Sequence, residues 1–293
     1  MPVKIEPPVE RRRGQGLLPR LLRNRSGTVG LALVTFYLLV GLFGLLGITP
    51  RPSLEQVPRD RLKPPSEQYW MGTDIFGRDI ASRLMEGAAN SLQVALLSVA
   101  TATLAGTLIG TTAGYVGGRF DNLLMRVMDV FFALPALLLA LLVVTVLGPG
   151  LYSTAFAIAV VYTPIFARVA RAPVLSVKEM EFVTATRALG LPEARILARH
   201  VLPNTLAPLI VQVSLALSWA LLTEAGLSFL GLGTQPPQAS WGVMLSESRG
   251  IAELAPWLMI FPGVAIMLGV LGWNLLGDGL RDVLDPRLRG RES

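Results

Sequence analysis

GTVGLALVTFYLLVGLFGLLGI, residues 27–48, runs for 22 positions without a charged side chain. As a helix rising 1.5 Å per residue it measures about 33 Å, enough to cross a hydrocarbon core of about 30 Å. A secretory signal is the competing reading, because Arg11, Arg12, Arg13, Arg20, Arg23 and Arg25 precede the stretch. The apolar core of such a signal is only about 7–15 residues long and ends at a small-residue cleavage site. Here ITPRPSLEQ follows instead. The stretch reads as a retained first membrane helix.

Five further apolar blocks lie downstream, at 89–115, 124–147, 153–172, 205–231 and 257–277. They give the chain of 293 residues a hydrophobic share of 52%, a charged share of only 16% and a mean hydropathy of +0.55. An ordinary soluble domain is about 25% charged, so a soluble enzyme is excluded. The expected fold is an all-α polytopic integral membrane protein with six transmembrane helices. Its divisions are an N-terminal segment 1–26, the first helix 27–48 and a polar loop 49–87. A five-helix domain 88–279 with an internal loop 173–204 follows, and then a tail 280–293. Without cysteine there are no disulfides, iron–sulfur clusters or thiol catalysis. His200 is the single histidine, which argues against a His-based metal centre or catalytic triad.

The net charge of +6 and pI near 10.1 would suggest nucleic acid in a soluble protein. Here the basic residues sit in short segments between apolar blocks, as the positive-inside rule describes. With six crossings, 19 of the 26 Lys and Arg residues fall on the side of the termini. Both termini are therefore expected in the cytoplasm, with 49–87 external, and no nucleic-acid partner.

Small residues and prolines punctuate the spans. Gly106, Gly110 and Gly114 recur at spacing four, which suits close helix packing. Pro135 and Pro164 are expected to kink their helices, since proline removes an intrahelical hydrogen bond. Arg126 and Asp129, three apart, have the spacing of a helical ion pair. Trp241 and Trp257 flank an external segment, where indoles usually anchor at the interface. Glu224 stands in an apolar run and must face protein or water. It is read as hydrogen-bonded to a neighbouring helix or loop near the outer interface, or as lining a path, and Asn274 is the other polar candidate. Asp74, Arg78, Asp79 and Arg83 lie in the polar loop as solvated ion pairs, or as contacts for an external partner. No nucleophile or histidine accompanies them, so they are not a catalytic set.

The segment EFVTATRALGLPEARILARHVLPN, residues 181–204, is too polar to span. Phe182, Ala185 and Leu189, then Ile196 and Leu197, recur at helical spacing. Gly190 sits where a helix stops, and Pro192 with Glu193 suits the first turn of another. The pattern is helix, glycine turn, helix, with Arg195, Arg199 and His200 on the second helix. The spacing alone is equally compatible with an amphipathic helix lying on an anionic leaflet.

This segment resembles the cytoplasmic coupling loop, the EAA loop, of permease subunits of binding-protein-dependent ABC importers. Thr184–Ala185–Thr186, Gly190 and Leu202–Pro203 fall at the family's spacing. Thr184 and Thr186 depart from its Glu and second Ala. YWMGTDIFGRDIASRLMEGAANSL (69–92), AGYVGGRFDNLLMRVMDVFFALP (113–135), LSFLGLGTQPPQASWGVML (227–245) and NLLGDGLRDVLDPRLR (274–289) are similar to one subfamily in matching order. That subfamily is the C-type permease subunit of dipeptide and oligopeptide importers, whose relatives carry nickel and glutathione. The likeness runs from about Leu21 to Arg289.

The resemblance implies the type I ABC importer transmembrane fold in a bacterial inner membrane. It implies as partners a second homologous permease, two ATPase subunits and an extracytoplasmic binding protein. It makes Thr184, Ala185, Arg187, Ala188, Leu189, Gly190, Leu191 and Pro192 the ATPase-coupling set. No lysine has P-loop surroundings, since Lys4, Lys63 and Lys178 precede Ile, Pro and Glu. ATP and Mg are thus expected on the partner subunits, with no cofactor on this chain. An ion-gradient transporter would need more intramembrane titratable groups than Glu224, and an intramembrane enzyme lacks a reactive set. Peptide is the expected cargo.

The topology can be tested with single cysteines. A Ser66→Cys variant should react with a membrane-impermeant maleimide in intact cells, and Ser176→Cys should not. The opposite labelling pattern would reverse the orientation.

Overall fold

The computed structural model describes residues 17–284. Residues 1–16 of the N-terminal segment, with Arg11–Arg13, and residues 285–293 of the tail, with DPRLR, lie outside the described residues.

A short helix α1 (Leu17–Leu21) leads into α2 (Arg25–Leu45), the first apolar span. Asn24 starts α2 by accepting from the Gly27 amide at 3.0 Å. A loop with a single 3₁₀ turn (Pro58–Asp60) then reaches α3 (Ile80–Val116), a helix of 37 residues. The last residues of the expected polar loop, from Ile80 on, already belong to α3, because Asp79 caps it by accepting from the Ser82 amide at 2.8 Å. After α3 come α4 (Gly118–Phe132), α5 (Ala136–Leu147) and α6 (Leu151–Val177). The loop helices α7 (Glu181–Ala188) and α8 (Glu193–Ile196) precede α9 (Leu206–Phe229), α10 (Trp241–Ser248) and α11 (Trp257–Leu284). The described residues form no strand.

Five spans are single helices long and apolar enough to cross a bilayer. The expected span 124–147 is not. It is the pair α4 and α5, which meet at 89°. Pro135 does more than kink this segment. Its ring fixes the backbone and lacks an amide donor, so α4 ends at Phe132 and α5 restarts at Ala136. Pro164, by contrast, is carried inside an unbroken α6.

Helix packing depends on missing side chains. A methyl at Gly110 would lie 2.0 Å from the Ala167 carbonyl oxygen, and one at Gly106 would lie 2.5 Å from Phe166 Cβ. The backbones of α3 and α6 touch there, as the glycine spacing predicts. Gly30 and Gly44 let α2 approach α11 and α3 in the same way, at Leu276 and Met85. Leu104, Leu108, Leu138 and Val146 point outward. Exposed leucines around buried glycines and alanines suit a solvent of lipid.

At the end of the bundle opposite α7 and α8, residues 230–240 and α10 fold back onto α3. Trp241 is fully buried, not an interfacial anchor. Its indole donates to the Leu84 carbonyl at 3.1 Å and packs edge-on against Tyr37. Trp257 is half-buried and donates to the Thr73 carbonyl at 3.3 Å.

A Gly110→Val variant should be destabilised by about 1–3 kcal/mol, the usual cost of overpacking a tight site. A lower midpoint of thermal unfolding in detergent would register this, and an unchanged midpoint would contradict the contact.

Candidate functional site: the loop between α6 and α9

The loop begins where α6 ends at Val177. Lys178 reaches back to donate to the Gly114 carbonyl of α3 at 2.9 Å. Helix α7 then closes with its Gly190 amide on Arg187 and its Leu191 amide on Thr186. Gly190 has φ +76°, the left-handed region that glycine enters without steric cost. Pro192 follows with φ −59° and leads directly into α8. A π-turn (Leu197–Val201) and a 3₁₀ turn (Leu202–Thr205) connect α8 to α9. The helix–glycine–helix pattern is therefore present with its turn at the expected residue.

A small apolar core holds the loop against α6. It consists of Val174, Val177, Val183, Ile196 and Val201, with Tyr115, Leu191 and Leu197 against it. The stripe of Phe182, Ala185 and Leu189 at helical spacing faces away from this core. Val183 takes the buried side, and a helix of eight residues with apolar groups on both faces can seat only one of them. Leu189 is 78% exposed, with Phe182 and Met180 exposed beside it. Thr184, Ala185, Arg187, Ala188 and Pro192 are also exposed, and Leu191 is half-buried. Seven of the eight residues are thus exposed and one half-buried, and the Leu189 and Phe182 side chains are left uncovered.

Charged groups anchor the flanking helices. Arg171 grips Asp121 with two hydrogen bonds of 2.6 Å, tying α6 to α4. Asp129 pairs with Arg168 at 2.6 Å, not with Arg126 as its spacing suggested. Arg168 also stacks over the Phe132 ring, its guanidinium carbon 4.0 Å from the centroid. An arginine from a packed helix thus displaces the local partner.

At the far end, Asp74, Arg78, Asp79 and Arg83 are all buried, which corrects the solvated reading. Asp74 accepts from the amides of Phe76 and Arg78 within its own turn. Arg78 and Arg83 converge on Glu247 of α10 at 3.1 and 2.8 Å. Buried side chains used this way are not a surface for an external partner in this conformation. Glu247 could not be found from the sequence, since it lies 164 positions from Arg83. Asp60, on the same side, is held below the usual carboxylate range by hydrogen bonds from Lys63 and then Tyr69.

Glu224 is fully buried in α9, where Ser228 of the same helix donates to it at 2.6 Å and the Ser91 hydroxyl of α3 and the Ser240 hydroxyl before α10 also stand beside its carboxylate. It lines no open path here. Asn274 is half-buried in α11.

The family profile described as binding-protein-dependent transport system inner membrane component matches residues 106–290, including the whole loop. The chain belongs to this family. The permease is 46% identical to the dipeptide transport system permease protein of Alkalihalophilus pseudofirmus, over 92% of this chain and 88% of that one. It is 43% identical to the di/tripeptide transport system permease protein of Pseudomonas aeruginosa, over 91% and 89%. The glutathione transport system permease protein of Pectobacterium atrosepticum is 44% identical over 78% and 77%. Among solved structures, the MetNI methionine ABC transporter in inward-facing form superposes with a TM-score of 0.58. That match has 17% identity and covers 69% of this chain and 96% of the other. It places the permease in the type I ABC importer fold. This is a multi-pass permease subunit of an ABC transporter.

The Glu247 network is expected to hold the permease's far end together. Glu247→Ala leaves Asp74 as the remaining carboxylate for both Arg78 and Arg83, at a cost of about 1–3 kcal/mol for the lost hydrogen bonds. A fall in the thermal unfolding midpoint well beyond that of an exposed control such as Glu67→Ala would bear this out.

Proposed function

We propose that this chain is one of two permease subunits of an ATP-driven importer of di- and oligopeptides, coupled to its ATPases through residues 181–203. The exposed ridge of Phe182 and Leu189, set on a turn only glycine reaches easily, is the observation that carries the reading. An apolar ridge facing water is costly unless a partner covers it. A loop built from the ends of α6 and α9 passes any displacement of that partner directly into two membrane helices. The partner in question is a nucleotide-binding subunit, one of two.

In this reading, ATP closes the ATPase pair and draws the coupling loops of the two permeases together. The pathway between the permeases opens outward, receives cargo from an extracytoplasmic binding protein, and reverts after hydrolysis. Thr184 stands where a glutamate is usual, so Leu189, Phe182 and the shape of the turn take the larger part in docking. The basic asymmetry supports cytoplasmic termini in a bacterial inner membrane. High identity to dipeptide and di/tripeptide permeases supports peptide cargo. The glutathione permeases among the relatives favour a second reading, in which the cargo is that tripeptide. Titrating the cognate binding protein with di- to pentapeptides, glutathione and Ni²⁺ separates these cargoes.

Gly190→Val should abolish ATP-dependent uptake in proteoliposomes while leaving membrane insertion intact. A β-branched residue at positive φ is strongly disfavoured, and residue 190 lies outside every span. Leu189→Asp should do the same by placing a charge in the docking ridge. Parental uptake by both variants, with ATPase still bound, would show that this loop does not couple.

A further inference from the structure

Two residues outside the coupling set, Tyr115 and Glu193, close over its turn together with Arg187 of the set. Arg187, in the last turn of α7, directs Nε to Glu193 Oε1 at 2.9 Å. Glu193 is the first residue of α8, so the pair bridges the Gly190 turn from one side to the other. The Tyr115 hydroxyl, from the end of α3, donates to Glu193 Oε2 and accepts from Arg187 Nη2 at 3.3 Å. The Arg187 guanidinium carbon stands 5.9 Å from the centre of the Tyr115 ring. Three elements meet at one carboxylate.

Stability does not account for this arrangement. The Arg187 and Glu193 side chains are 47% and 55% exposed, and ion pairs so open contribute little to folding. Geometry accounts for it better. Val183 of α7 and Ile196 of α8 pack in the apolar core beneath the turn, but nothing lies within 4 Å of a Cβ placed on Gly190, so the turn's outer side is open. The bridge from Arg187 to Glu193 closes that side, and Tyr115 ties the bridged pair to α3. Lys178 joins the end of α6 to the same stretch of α3 through the Gly114 carbonyl. Loop and bundle are thereby joined at two points on one helix.

We infer that Tyr115 and Glu193 are positioning residues for energy coupling, holding α7 and α8 at a fixed angle to α3 so that displacement of the loop moves that helix. The inference rests on the coupling role proposed above for residues 181–203. It adds a non-covalent route into the membrane domain, beside the two covalent ones through α6 and α9.

Tyr115→Phe and Glu193→Gln keep the side-chain shapes and remove the hydroxyl and the charge. In the purified full chain, both should speed hydrogen–deuterium exchange across residues 181–196. In the reconstituted complex they should keep the ATPase subunits and their hydrolysis, while ATP consumed per peptide imported rises about fivefold or more. Exchange at the parental rate would overturn the inference, and so would a parental ratio of ATP to peptide. Loss of the ATPase subunits in step with uptake would overturn it too, by making the contact one of assembly alone. A parental complex that hydrolyses ATP but imports no peptide would count against the proposed cargo, and the exchange measurement would still decide whether the triad holds the loop.

Discussion

The contact on which the rest of the molecule depends is the touching of two backbones, α3 at Gly110 and α6 at Ala167. A single methyl there would stand 2.0 Å from a carbonyl oxygen. Lipid offers no hydrophobic drive for one helix to leave it for another, so close van der Waals approach has to supply the attraction. Once α3 and α6 are locked side by side, Gly114 and Tyr115 fall beside Lys178 and the loop. Without that register, neither the Lys178 tie nor the Glu193 carboxylate would have a partner on α3.

Much of this was legible in the sequence because a bilayer tolerates few solutions. A crossing needs a long uncharged run with its hydrogen bonds satisfied internally, and five of the six runs became single helices. Gly190 and Pro192 were equally legible, since each restricts the backbone to a narrow choice. The break at Pro135 was not, because an apolar run reads the same whether its helix is bent or divided. Nor was the inward face of α7, where Phe182 and Val183 are adjacent and both apolar. The charged contacts escaped for a different reason. Local spacing offered Arg126 to Asp129, while the fold supplied Arg168 from 39 positions away. Asp74, Arg78, Asp79 and Arg83 looked solvated until α10 brought Glu247 onto them.

The two ends of the molecule use charge in opposite ways. At the α10 end the guanidinium groups are buried between two carboxylates, Asp74 and Glu247, which fixes α10 in place. Around the loop they are open to water and close over the uncovered side of a turn. The first arrangement is expensive to break, and the second is cheap to rearrange. One end of the bundle is thus held by buried charge and the other by charge that water can reach.

Helix α5 has only 12 residues, about 18 Å of length against a core of about 30 Å. The remainder of that crossing falls to α4, set at 89° to it and carrying Asp129, with Arg168 of α6 against it, the two side chains 60% and 48% exposed. Charges meeting hydrocarbon cost about 2.5–3.5 kcal/mol each on insertion scales. An ion pair this open needs water, lipid headgroups or another protein surface against it wherever it sits in the bilayer. Of the six apolar runs, this is the one that a single straight helix does not carry across.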